Sequence, residues 1–229
     1  MIRSPNIWDA PHVYETENLA SDRAGVIEAA IDALHPIAGA DLLDVGCGTG
    51  FHLPRFAGLG ARVVGVEPHL PLVALAQDRV CRLGPGSGSA RVLAAEAERL
   101  PLRNRCLDVV HARWAYFFGA GCEPGLAELE RVLRPGGLAC IVDIDAARST
   151  FGGWFRRAYP AYDPVATKRF WARQGFATLP LTIAWTFDRR EDLEAVVRIE
   201  LPPVVADEVL AGHVGTDVDY AVALRWRRY

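Results

Sequence analysis

The chain has 229 residues, 51% of them apolar and 23% charged, which supplies a large core and excludes a disordered or collagen-like chain. No run of apolar residues is long enough to span a membrane, and Met1-Ile2-Arg3-Ser4-Pro5-Asn6 lacks the apolar stretch of a secretory leader. A net charge of −3 argues against a general nucleic-acid binder, so no nucleic-acid partner and no membrane partner is expected.

The first forty residues read as a polar, aromatic-bearing arm followed by a helix, with Ser21 as its cap and Ala24, Ile27, Ile31 and Leu34 at helical spacing. Pro36 and Gly39 end it. Short apolar runs then alternate with helical patterns. Leu42 to Val45 is a strand, followed by a helix through Leu59. Arg62 to Val66 is the next strand, and Pro71 suits the first turn of a helix that Gly84 closes. A loop over 83–89 leads to strands at Arg91–Ala94 and Leu107–Ala112. Pro124 opens a helix, Arg134-Pro135-Gly136-Gly137 makes a turn, and Leu138–Val142 is a fifth strand. Asp163-Pro164 caps a further helix that ends at Gly175. Phe176 to Phe187 reads as a strand, Leu193, Val196 and Val197 mark one more helix stopped by Pro202-Pro203, and Asp219 to Trp226 is the last strand. Strands alternating with helices in this way imply a parallel sheet covered on both faces.

The five cysteines, at 47, 81, 106, 122 and 140, form no CxxC pair, which argues against a disulfide framework or a zinc site and for a reducing cytoplasm. No metal-ligand cluster is visible, and no metal is expected.

The stretch Leu42-Leu43-Asp44-Val45-Gly46-Cys47-Gly48-Thr49-Gly50 follows a strand and opens a helix. Glycines there let backbone approach a ligand, and the strand's carboxyl end is where open α/β sheets bind one. A dinucleotide fingerprint would need a glycine at 51, which is Phe51, so a nicotinamide-dependent dehydrogenase is disfavoured. Glu67 ends the second strand, where a carboxylate can accept from both ribose hydroxyls. Glu96 follows the third strand, where a carboxylate can meet an adenine amino group.

With these residues in place, the chain resembles a class I S-adenosylmethionine-dependent methyltransferase of the small-molecule type. Asp44 to Gly50 is similar to the family's first motif and Glu67-Pro68 to its acidic second-strand end. Glu96-Ala97-Glu98-Arg99-Leu100-Pro101-Leu102 resembles "D-A-x-x-L-P-F", with Glu for Asp and Leu for Phe. Leu107-Asp108-Val109-Val110 resembles "F-D-V-V", and Leu129 through Val142 resembles the helix, turn and strand that close the match. The resemblance covers residues 38 to 145. It implies a Rossmann-like, doubly wound sheet of seven strands, mostly parallel with an antiparallel last strand. One domain over 1–229 is then expected, with 1–37 as a helical arm or lid and 146–229 as a helical embellishment that carries acceptor-site elements.

The resemblance also implies a cofactor, S-adenosylmethionine, and its product S-adenosylhomocysteine. Asp44, Gly46, Cys47, Gly48 and Gly50 would hold the methionine end, Glu67 and Pro68 the ribose, Glu96 and Ala97 the adenine, and Ala112 would touch the cofactor from the fourth strand. Methyl transfer is an in-line displacement from an already activated donor, so positioning supplies much of the rate and a general base is optional. The catalytic residue is unassigned, with Asp143, Asp145 and His213 as candidate bases. Tyr14, Arg113, Trp114 and Tyr116 are candidates for the acceptor, and Trp8 with Tyr14 for a closing lid. The expected acceptor is a small molecule, and the protein is expected to be a monomer or homodimer. An RNA or protein acceptor, or a non-catalytic regulator that binds the cofactor, are the alternatives.

Overall fold

The computed structural model describes residues 4–84, 88–116 and 119–229. Pro85, Gly86 and Ser87 of the expected loop lie outside the described residues. The chain begins with three helices, α1 (Pro5–Asp9), α2 (Pro11–Ala20) and α3 (Val26–Leu34). The alternating part follows as β1 (Asp41–Val45), α4 (His52–Gly58), β2 (Arg62–Glu67), α5 (Leu70–Cys81), β3 (Ser89–Ala94), β4 (Leu107–Arg113), α6 (Glu123–Val132) and β5 (Leu133–Ile144). The last third adds α7 (Thr150–Ala158), α8 (Pro164–Arg173), β6 (Ala177–Thr186), α9 (Arg190–Glu200), α10 (Pro203–Gly212) and β7 (Asp217–Arg228).

The seven strands form one sheet in the order β3-β2-β1-β4-β5-β7-β6. The first five pair in parallel, while β7 runs antiparallel to β5 on one side and β6 on the other. This is the doubly wound sheet with an antiparallel last strand that the sequence implies. No helix of the described residues is long and apolar enough to cross a membrane.

Alternation along β1 explains why that strand is apolar throughout. Leu42 packs with Val63, Val109 and Leu138 on one face, and Leu43 packs with Val64, Val110 and Ala139 on the other. A strand covered on both faces needs apolar residues at every position rather than every second one. The register then sets the site. Val45 is level with Val66 of β2 and with Ala112 of β4, so the chain leaves all three strands at the same edge.

Some expectations need correction. Ser21 does not cap the third helix. It closes α2 and bridges to Trp185, while the Asp22 carboxylate accepts from the Val26 and Ile27 amides at the start of α3. The polar arm forms two helices of its own, each entered through a proline. Two helices, α9 and α10, stand between β6 and β7 where one was expected, because Pro202-Pro203 stops α9 and Pro203 then starts α10. Asp163 caps α8 as expected, accepting from the Val165 and Ala166 amides. Phe151, Trp154 and Phe155 on α7 are packing residues, all buried in the core beside Trp185 and Tyr220.

Candidate active site

A cleft opens at the carboxyl edge of β1, β2 and β4. Its floor is the turn after β1. Gly48 has φ +56°, and its N–H donates to Glu67 Oε2 at 3.1 Å. Gly50 has φ +76° and lies against α5, where an added Cβ would come within 3.0 Å of the Ala76 Cβ and 3.1 Å of its Cα. Both positions therefore require glycine, one to turn the chain toward the cleft and one to let α5 close behind it. Gly46 and Cys47 donate to the Val66 carbonyl, which ties the turn to the end of β2.

Asp44 is buried at the end of β1. Its Oδ1 meets Nδ1 of His111 at 2.7 Å, and its Oδ2 is buried without a partner. Glu67 receives the Gly48 amide on one oxygen and the His69 amide on the other, at 2.9 Å. Burial pushes its pKa up, and these two amides oppose the shift. A carboxylate has about four lone-pair sites, so Glu67 keeps capacity for a ligand's hydroxyls. Pro68, Glu96 and Ala97 continue the same wall.

The arm roofs the cleft. The Ile7 side chain sits where a Cβ on Gly48 would be, 2.6 Å away. Trp8 stacks on His69 with ring centroids 4.1 Å apart. Glu15 accepts from Thr49 and pairs with Arg79 of α5 at 2.6 Å. Asn6 donates to Glu200 of α9. Trp8 and Tyr14 both line the cleft.

Arg113, Trp114 and Tyr116, the other acceptor candidates, line the inner wall. Trp114 adopts φ +51°, an uncommon conformation for a bulky residue, and its indole lies under the Arg113 guanidinium at 4.2 Å. The Tyr116 hydroxyl is buried, which drives its pKa well up.

Other expected residues do not reach the cleft. Ala112 is fully buried within β4, and the lining begins at Arg113. Gly50 stands behind the turn, against Ala76. Asp143 faces the opposite side, paired with Arg225 at 3.5 Å near Trp171. Asp145 is held by Arg148 at 2.7 Å. His213 ends α10, stacks edge-on against Trp154 and bonds the Asp217 carbonyl, away from the cleft. None of these three candidate bases lines the site.

Sequence reasoning missed Asn18 and His52, both of which line the cleft, and the service His111 gives to Asp44. Burial pushes the His52 pKa down to about 4, so its ring is neutral near pH 7. The buried acids Glu17 and Glu200 were also missed. Burial raises both, and the neighbouring Glu200 charge drives Glu17 well above the usual carboxylate range, while hydrogen bonds from Asn6 and Glu17 temper the rise at Glu200. Their signal was faint, because an acid on an amphipathic helix normally faces solvent.

The residues present fit a sulfonium nucleoside. An orphaned acidic oxygen, Asp44 Oδ2, lies beside a glycine cradle, with Glu67 one strand away. A family model described as a methyltransferase domain matches residues 43–141. The chain is 36% identical over 106 residues to a tRNA U34 carboxymethyltransferase of Methylococcus capsulatus, which covers 46% of this chain and 32% of that protein. It is 31% identical over 138 residues to the O-methyltransferase cnsE of Penicillium expansum, covering 60% and 49%. The chain thus spans about a third to a half of the length of these curated relatives. Among solved structures, a methyltransferase of Anabaena variabilis from an antibiotic biosynthesis pathway superimposes with a TM-score of 0.62 at 16% identity, covering 93% of this chain and all of that one. A geranyl diphosphate methyltransferase in complex with SAM gives 0.59 at 17% identity, covering 88% and 84%. These likenesses show the fold.

The relatives correct one expectation. Several are named for action on tRNA, so the exclusion of nucleic acid in favour of a small-molecule partner does not stand. Net charge sums the whole surface, and a chain of charge −3 can still present a local field of either sign.

Proposed function

We propose that the chain, whose residues 43–141 match a methyltransferase-domain model, is a working class I S-adenosylmethionine-dependent transferase that binds its cofactor in the roofed cleft. The observation that carries this reading is the unpartnered Asp44 Oδ2, buried beside the Gly46–Gly48 turn and in the same cleft as Glu67. Asp44 and the turn would hold the amino-acid end, Glu67 the ribose, and Glu96 with Ala97 the adenine. The bound cofactor supplies an activated methyl group on sulfur. Arg113, Trp114 and Tyr116 would face that group and orient the acceptor for in-line attack. Ile7 and Trp8 exclude water from above. The five free cysteines support a reducing, cytoplasmic setting.

Calorimetric titration with S-adenosylhomocysteine, with NAD in parallel, tests the cofactor. Micromolar binding of the first alone is expected, and NAD binding in its place would overturn the reading. Transfer of labelled methyl to bulk tRNA, or to a panel of phenols and carboxylic acids, then identifies the acceptor class. The relatives' names support trying both.

A further inference from the structure

Arg113 ends β4, and its side chain turns into the inner end of the cleft, where the residue is 8% exposed. Among the described residues one of its five N–H donors finds a partner: Nη2 donates to Ser21 Oγ at 2.8 Å. Its Nε is buried with no partner. Among the described residues no carboxylate forms an ion pair with it. The acids whose charges it feels are engaged elsewhere. Both Asp22 oxygens accept from α3 amides, and Glu28 faces Arg55 at 2.8 Å. Burial disfavours the charged form of the Glu17 carboxyl. A buried cation with no carboxylate in contact and a donor left unpaired is costly, which points to a ligand that engages it.

Two further donors share this wall. Tyr14 and Asn18 are four residues apart on α2 and so lie on one face of the helix. Both line the cleft, and neither the phenol nor the amide has a hydrogen bond among the described residues. The cleft is therefore polarised, with the acids Asp44 and Glu67 at the ends of β1 and β2 and this donor group beyond β4.

We propose that Arg113, with Tyr14 and Asn18, forms a carboxylate-binding subsite at the inner end of the cleft. The planar guanidinium fork matches a carboxylate with two parallel N–H···O bonds, and the Trp114 indole beneath holds it flat. The carboxylate has two possible sources, the amino-acid end of the donor nucleoside or the acceptor itself. The subsite rests on reading the cleft as a nucleoside site.

The test titrates three probes into the wild type, Arg113→Lys and Arg113→Gln. The probes are S-adenosylhomocysteine, 5′-methylthioadenosine, which lacks the amino-acid end, and benzoate with and without saturating 5′-methylthioadenosine. Arg113→Gln should weaken a carboxylate-bearing probe by roughly 10- to 100-fold, the loss of a charge-assisted hydrogen bond or two, and leave 5′-methylthioadenosine unchanged. Arg113→Lys, which keeps the charge and loses the fork, should fall between. Loss confined to S-adenosylhomocysteine assigns the subsite to the donor, and loss confined to benzoate assigns it to the acceptor. Equal loss of S-adenosylhomocysteine and 5′-methylthioadenosine overturns the proposal, as does no change for either carboxylate. If Arg113→Gln does not fold, the same comparison is made with Arg113→Lys. A wild type that binds neither nucleoside would sink the functional reading instead, and benzoate alone would still test the subsite.

Discussion

Nδ1 of His111 lies 2.7 Å from Oδ1 of Asp44, and both side chains are buried. The pairing follows from register, because Asp44 of β1 sits directly beside His111 of β4. Phe56 and His52 pack edge-on against the imidazole at 5.0 and 5.6 Å, which fixes the ring. One carboxylate oxygen is thereby held inward and the other left for a ligand. If Asp44 holds the cofactor as proposed, His111 is its positioning residue.

Replacing His111 with Phe should strip Asp44 Oδ1 of its partner and cost about 1–3 kcal/mol of stability, the usual result of orphaning a buried acceptor. S-adenosylhomocysteine affinity should fall as well, and His111→Gln, which restores a donor, should recover part of it. Urea unfolding and calorimetry on the two variants separate the effects. Equal affinity in Phe and Gln variants would count against a positioning role.

Glu67 holds the turn and, on our reading, the ribose. Glu67→Ala removes the acceptors of the Gly48 and His69 amides together. Binding of S-adenosylhomocysteine should drop by more than about tenfold, equivalent to roughly 1.4 kcal/mol. Glu67→Gln keeps a single acceptor oxygen and should fall between. Unchanged calorimetric affinity in Glu67→Ala would remove the ribose assignment.

Gly48 tests the roof. In Gly48→Ala the new methyl would meet Ile7 Cδ1 at 2.6 Å, on a backbone already at φ +56°. The backbone strain costs on the order of 1 kcal/mol wherever the roof lies. The collision is relieved if Ile7 is shortened. The double variant Gly48→Ala, Ile7→Ala should therefore recover part of the lost nucleoside affinity and none of the backbone strain. A purely additive cycle would show that the arm does not rest on the turn in solution.

Stability should decline as the pH falls through the acid range. The His52 imidazole is buried, which takes its pKa to about 4 against about 6.5 when free. Between these values the unfolded chain binds a proton that the folded one refuses, so stability is lost as pH drops from about 6.5 to about 4. The full loss is on the order of 3 kcal/mol. Glu28 extends the trend. Burial raises its pKa, but the neighbouring His52, 3.8 Å away, and the Arg55 charge outweigh that and bring it to about 2. Its contribution is present above about pH 4.3 and lost as pH falls through about 2. Melting temperatures measured from pH 7 to pH 4 should fall less steeply in His52→Asn than in the wild type.

What was legible in the sequence was local and backbone-driven. The run from Leu42 to Gly50 announces a buried strand and a tight turn, since those positions need apolar residues and glycines for reasons that hold in any such sheet. Glu67 and Glu96 could be placed by counting along strands. The candidate bases failed for a different cause. Strand ends show which residues come near the carboxyl edge, but the pleat decides the face, and Asp143 turns toward Trp171 instead of the cleft. Asn18, Glu17 and Glu200 escaped notice because their burial depends on α2 meeting α9, a long-range contact without a local pattern. Arg113 was marked as an acceptor candidate, yet its lack of an ion-pair contact among the described residues becomes visible only when every neighbouring acid has been accounted for.

The roof over the glycine turn has a kinetic consequence. On the reading proposed above, a spent nucleoside beneath Ile7 and Trp8 would have no straight way out, so its departure would wait for α1 to swing clear of His69. Residence time then depends on the rate of that swing as much as on the grip of Asp44 or Glu67. Catalytic throughput and cofactor affinity would then be separately tunable, the first through the Trp8–His69 stack and the second through the floor. A variant such as Trp8→Ala would then trade longer occupancy for faster cycling, with the chemistry of the reacting centre left as it was.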